Sequence, residues 1–168
     1  DISDARGKSV GDPLQWGFFR DASNSSLGYR FMRYFLARVD HLIAAETGEA
    51  TASYYDLVVN SGEKFGHHVE HILADNAENR QVFGGDEDLF YRERNRLGAL
   101  VLLRGPKNLA SRDEPYHKKL QTYAGGTLWA RTLTRDFHHN NTPFAEFCTR
   151  RRLKIEPIDR FDEQAVEA

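Results

Sequence analysis

The chain has 168 residues, enough for one domain that buries about two-thirds of its unfolded surface, and it is 40% hydrophobic with eleven Phe and seven Tyr. Lys and Arg together number 23 against 25 acidic residues, so the net charge of −2 excludes a histone-like binder wrapped along nucleic acid. It leaves room for a local basic face, since only the surface near a phosphate must be positive.

The amino end, "DISDARGKSVGDP", is polar and small, and the only methionine is Met32. Residues 1–20 are therefore expected to be the linker end of a fragment cut from a longer protein. One domain is expected over 21–156, and 157–168 read as a polar tail. Cys148 is the single cysteine, so no internal disulfide is available, and no apolar run approaches the ~20 residues that cross a bilayer. A reducing, cytoplasmic setting without a membrane is the expectation.

Taken in order, "DASNSS" (21–26) offers helix caps, and the following 27–45 read as an amphipathic helix. Its core stripe is expected at Phe31, Phe35, Val39 and Leu42, with Arg30, Arg33 and Arg38 largely off it. Residues 48–64 read as a short helix or extended piece closed by a turn at Asn60–Gly62. "FGHHVEHIL" (65–73) and "RLGALVLLRG" (96–105) have the length and bounding glycines of strands. From Lys107 the chain starts in turn chemistry and becomes a helix that stops at Gly125–Gly126. Asp113 is expected as its cap, with Pro115 in the first turn. Residues 127–139 and 142–152 read as two further helices, the second capped by Thr142 with Pro143 at its first position.

"GEKFGHHVEHILADN" (62–76) concentrates three of the seven histidines. His67-His68-Val69-Glu70-His71 matches H-x-x-E-H, an inverted zinc-peptidase pattern. That chemistry needs a helix, where positions i and i+4 point the same way. On a strand, His68 and Glu70 share one face, and His67, Val69 and His71 the other. A second chemistry needs a carboxylate and a histidine adjacent at a strand end, a second strand, then an amide at the start of a helix. The chain supplies Glu70-His71, the run "LGALVLL", and Asn108 after Gly105–Pro106.

At these residues the chain resembles a known family. "HVEHIL", "RNRLGALVLLRGPKN" and "YHKKLQTY" resemble the HNH (His-Me finger, ββα-metal) nucleases. More narrowly they resemble the carboxy-terminal nuclease domain of GmrSD-type modification-dependent restriction enzymes, over about residues 27–155. The resemblance implies an α+β, mostly helical fold with a ββα-metal module among flanking helices. It implies a metal-dependent DNA endonuclease that nicks or cuts duplex DNA in phage defence, with an amino-terminal nucleotide-hydrolysing sensor domain as partner. By this analogy His71 is the general base, and His68 is a further catalytic residue on the metal or phosphate side. Glu70 and Asn108 would hold Mg²⁺ (or Mn²⁺). The chemistry is coherent: a hard cation prefers oxygen donors, and a neutral imidazole with pKa near 6.5 suits a base at neutral pH.

Arg94 and Arg96 precede the second strand, Arg104 and Lys107 bracket the loop before Asn108, and Lys119 matches the family's helix lysine. These five are expected on DNA phosphates. Arg150–Arg152 form another basic run, read as a solvated face. Ala99 stands where the family usually has Asn, which removes a side-chain hydrogen bond near the site, and Ala74 replaces the family's common Pro. A non-catalytic DNA-binding domain of the same fold is the alternative reading.

Overall fold

A computed structural model describes residues 22–60, 62, 64–111, 113–139 and 141–167; the linker expected over 1–20 lies outside them. Helix α1 (Asn24–Leu27) leads into α2 (Tyr29–Thr47) through Gly28 at φ 73°. Helix α2 ends at Gly48, left-handed at φ 74°, whose N–H donates to the Ala44 carbonyl. The face that α2 buries is Met32, Arg33, Leu36, Ala37, Asp40 and Ile43. The expected Phe31–Leu42 stripe is therefore displaced about one residue around the helix, and Leu42 is 48% exposed. Two charged residues stand on the buried face because both are satisfied there. The Arg33 guanidinium donates to the carbonyls of Leu57 and Asn60, and Asp40 accepts from the Trp129 N–H and the Thr51 hydroxyl.

The Leu57 and Asn60 carbonyls belong to and follow a π-helical turn at Tyr55–Val59. Strands β1 (His67–His71) and β2 (Leu100–Arg104) then form one antiparallel pair, His67 opposite Arg104 and His71 opposite Leu100. Between them lie α3 (Ala77–Val82) and α4 (Glu87–Arg94), which the sequence reading does not assign. Both carry side-chain caps: Asn76 accepts from the Asn79 N–H, and Asp86 from the Leu89 N–H.

After β2 the chain turns at once into α5 (Gly105–Ser111), so the residues read as turn chemistry from Lys107 are helical and Asn108 lies within that helix. Helix α6 (Tyr116–Ala124) starts after Pro115 itself, not after Asp113, and its first N–H donates to Asn79 Oδ1 from another part of the chain. It stops at Gly125 as expected. Residues 127–139 form two short helices, α7 (Leu128–Arg131) and α8 (Arg135–His139), rather than one. Helix α9 (Thr142–Arg151) is capped by Asn141 instead of Thr142. A last turn, α10 (Glu163–Glu167), follows.

The described residues are mostly helical, 59%, and among them is one small antiparallel sheet, which agrees with the α+β expectation at that level. Strand β2 is apolar at consecutive positions because both its faces are covered. Val101 and Leu103 pack into a cluster with Ile72, Phe90, Tyr116, Tyr123 and Phe161, whereas Leu100 and Leu102 meet Met32, Leu36, Ala37 and Leu57. The segment read as a polar tail is part of the first cluster: Phe161 and Val166 are buried, and the Tyr116 hydroxyl donates to the Ile158 carbonyl. Gly98 is required by that packing, since a Cβ there would sit 2.5 Å from the Val166 carbonyl oxygen.

Candidate functional site

Period-2 alternation puts Glu70 and His68 opposite Val101 and Leu103, on the side of the sheet that α6 covers. The Glu70 side chain is 10% exposed, and its Oε1 lies 2.5 Å from the Nζ of Lys119, which is 0% exposed. The same ammonium donates to the backbone carbonyl of His71 at 2.9 Å. Burial pushes Glu70 upward and Lys119 downward, and each opposes the other's shift by its charge. Glu70 Oε2 has no protein hydrogen-bond partner among the described residues.

His71 ends β1. Its Nε2 meets Asn95 Oδ1 at 2.9 Å, and the Asn95 amide is oriented by donating from Nδ2 to the Tyr91 carbonyl at 2.6 Å. Nε2 therefore carries the proton and donates, and the lone pair is on Nδ1. Burial, reinforced by the charge of Arg94, lowers the His71 pKa to about 4 against the Asn95 bond. The imidazole is neutral at pH 7, the state a general base requires. Arg94 is half-buried beside this group; its Nε donates to the Leu73 carbonyl at 3.1 Å and its guanidinium stands 5.8 Å over the Phe90 ring.

The remaining expected residues divide. His68 is half-buried on the Glu70 side of β1. Asn108 is half-buried in α5, which packs on both strands, and it makes no hydrogen bond to Glu70 or His71 among the described residues. Arg104 and Lys107 do not flank His71. They follow from the far end of β2, where Arg104 pairs with His67. Two expectations for DNA-facing residues are corrected. Lys119 is buried on Glu70, and Arg96 is buried with its Nη1 2.6 Å from the Glu93 carboxylate, so neither presents its charge to solvent. The zinc-peptidase pattern also loses its geometry. His67 and His71 are four residues apart on a strand, roughly 13 Å, too far to share one ion.

Sequence reasoning missed Asn95, the residue that fixes the tautomer of His71. Its only local mark is its place at the C-cap of α4 in "RNRLG". It also missed that Lys119 is an internal partner, since 49 residues separate it from Glu70. Ala99 and Ala74 are both buried, and their carbonyls accept from the Ile72 N–H and the Asn79 amide.

A family model described as GmrSD restriction endonucleases, C-terminal domain, matches residues 15–167. No curated protein and no solved structure gives a significant match.

Proposed function

We propose, since the chain belongs to the family of C-terminal domains of GmrSD restriction endonucleases, that it is an HNH-type DNA endonuclease domain using His71 as general base. The observation that supports this most is the state of His71: neutral, with Nε2–H held by Asn95 and Nδ1 unprotonated, next to a paired carboxylate at the end of a strand. In the proposed step Nδ1 takes a proton from water. The resulting hydroxide oxygen bonds to phosphorus, the bond to the 3′-oxygen breaks, and the 3′-oxygen takes a proton from solvent. Lys119 acts indirectly, by holding the Glu70 carboxylate and the His71 carbonyl in one place. Arg94 supplies positive charge beside the reacting phosphate.

The family resemblance brings a hard divalent cation, Mg²⁺ or Mn²⁺, into this reading. The residues fit one: Glu70 Oε2 is unpartnered and its side chain keeps 10% exposure, so one hard oxygen donor is available beside Lys119. Glu70 and the side-chain oxygen of Asn108 would hold the ion, which when bound neutralises charge on the phosphoryl oxygens and the departing 3′-oxygen. With two protein donors, binding without DNA should be weak.

In this reading the chain is the effector part of a larger cytoplasmic protein whose amino-terminal domain senses foreign duplex DNA. The test is nicking of supercoiled plasmid by the purified chain with Mg²⁺ or Mn²⁺, and its loss in EDTA. Binding without nicking under every metal would return the domain to a DNA-binding role.

A further inference from the structure

A separate cleft of about 270 Å³ opens at the other end of the sheet, lined by His67, Arg104, Lys107, Gly125, Thr127 and Arg131 among others. Among the described residues that line it none is acidic. Arg131 is held by Glu49 at 2.5 Å, but no carboxylate among the described residues lies within ion-pair distance of Arg104 or Lys107. Both cations are nonetheless positioned. The Arg104 guanidinium stands 5.8 Å from the centre of the exposed Phe65 ring, and among the described residues none of its N–H groups donates to a protein acceptor. The Lys107 ammonium donates to the Gly125 carbonyl, and it lies where a Cβ at position 125 would come within 2.6 Å of Nζ. His67 Nδ1 meets the Asp56 carbonyl at 3.3 Å, so in the neutral ring that nitrogen donates and Nε2 is the free one.

We infer that this cleft is a phosphate-binding subsite, in which Arg104 and Lys107 hold the oxygens of a phosphate and His67 lines its wall. Planar guanidinium, point-charge ammonium and an acid-free lining are what a phosphate group requires. The cleft lies one strand length, roughly 13 Å, from His71. A DNA strand running along β1 from the bond attacked would seat one of its backbone phosphates here. That occupant rests on the nuclease reading; phosphate binding by the cleft does not.

The test uses the purified chain in EDTA, so that binding is read without cleavage. The probes are inorganic phosphate and short duplexes with 5′-phosphate or 5′-hydroxyl ends. The His67 imidazole resonances should move at fixed pH on adding phosphate or DNA. Arg104→Gln and Lys107→Gln should each abolish the movement with phosphate. Each should also reduce the slope of log affinity against log salt by about 0.9, equally for unrelated sequences, with circular dichroism unchanged. Equal responses to both duplexes assign a backbone phosphate, and a response confined to the 5′-phosphate assigns a terminal one. Unmoved His67 resonances with unchanged salt slopes overturn the subsite even where plasmid nicking is intact. Moved resonances in a chain that never nicks DNA uphold the subsite and remove the nuclease reading alone.

Discussion

Replacing Lys119 by Met keeps the length and volume of the side chain and removes an ammonium that is 0% exposed. What stays behind is the Glu70 carboxylate, buried to 7% exposure with Oε1 unpaired, and a His71 carbonyl without its donor. Breaking one half of a buried ion pair costs about 3–5 kcal/mol, a large part of the ~5–15 kcal/mol that holds a domain folded. For a chain of this length that corresponds to a fall in Tm of roughly 6–20 °C. Glu70→Leu should cost a similar amount, because it strands the ammonium instead. The double variant Glu70→Leu/Lys119→Met removes both charges and should recover most of the loss. Urea unfolding of the four proteins, followed by circular dichroism, closes the cycle. A loss below ~1 kcal/mol for Lys119→Met, or additive losses in the double variant, would refute the view that this pair organises the end of β1.

Between the unfolded His pKa near 6.5 and the folded value of about 4, the unfolded chain takes up a proton that folded His71 does not. The stability that neutral His71 contributes is therefore complete above about pH 6.5 and is lost as pH falls toward 4, which urea midpoints compared with those of His71→Ala will read. The acid limb of the nicking rate should lie near pH 4 for the same reason. Asn95→Asp, which puts a carboxylate on His71 Nε2, should move that limb up by about 1–3 units, whereas a pure packing role for Asn95 would leave it unmoved. Arg94→Ala should weaken DNA binding alike across sequences and cut the salt slope by about 0.9. Arg96→Ala should leave the slope unchanged and destabilise the fold by about 1–3 kcal/mol, since it takes the Arg96 donor from the buried Glu93 carboxylate while Arg92 still holds its other oxygen; fluorescence anisotropy against salt and urea unfolding separate the two.

Strands β1 and β2 were legible because their signals are local. Leu100–Leu103 is a continuous apolar run, buried on both faces, and the 65–73 segment is bounded by a glycine turn. The face of α2 was not legible from apolar spacing, because Arg33 and Asp40 occupy buried positions through hydrogen bonds to residues 51, 57, 60 and 129. Helices α3 and α4 carried cap signals at Asn76 and Asp86 that their short, polar sequences obscured. Arg96 looked like a phosphate ligand in "RNRLG", although Glu93, three residues earlier, was a sign of a local partner. At the site, the adjacency of Glu70 and His71 and the face each takes could be read from the strand period. The bonds from Lys119 and Asn95 could not, because they join residues 49 and 24 positions apart and depend on how α6 and α4 pack on the sheet.

The central claim, that His71 is the base, is tested most directly by the plasmid-nicking rate of His71→Ala against the unsubstituted chain across a Mn²⁺ titration. Circular dichroism and DNA affinity are measured on the same samples. The rate should fall by roughly 10²–10⁴ while fold and DNA binding survive. A folded, DNA-binding His71→Ala protein that nicks at the original rate would contradict the claim and remove the histidine from the mechanism.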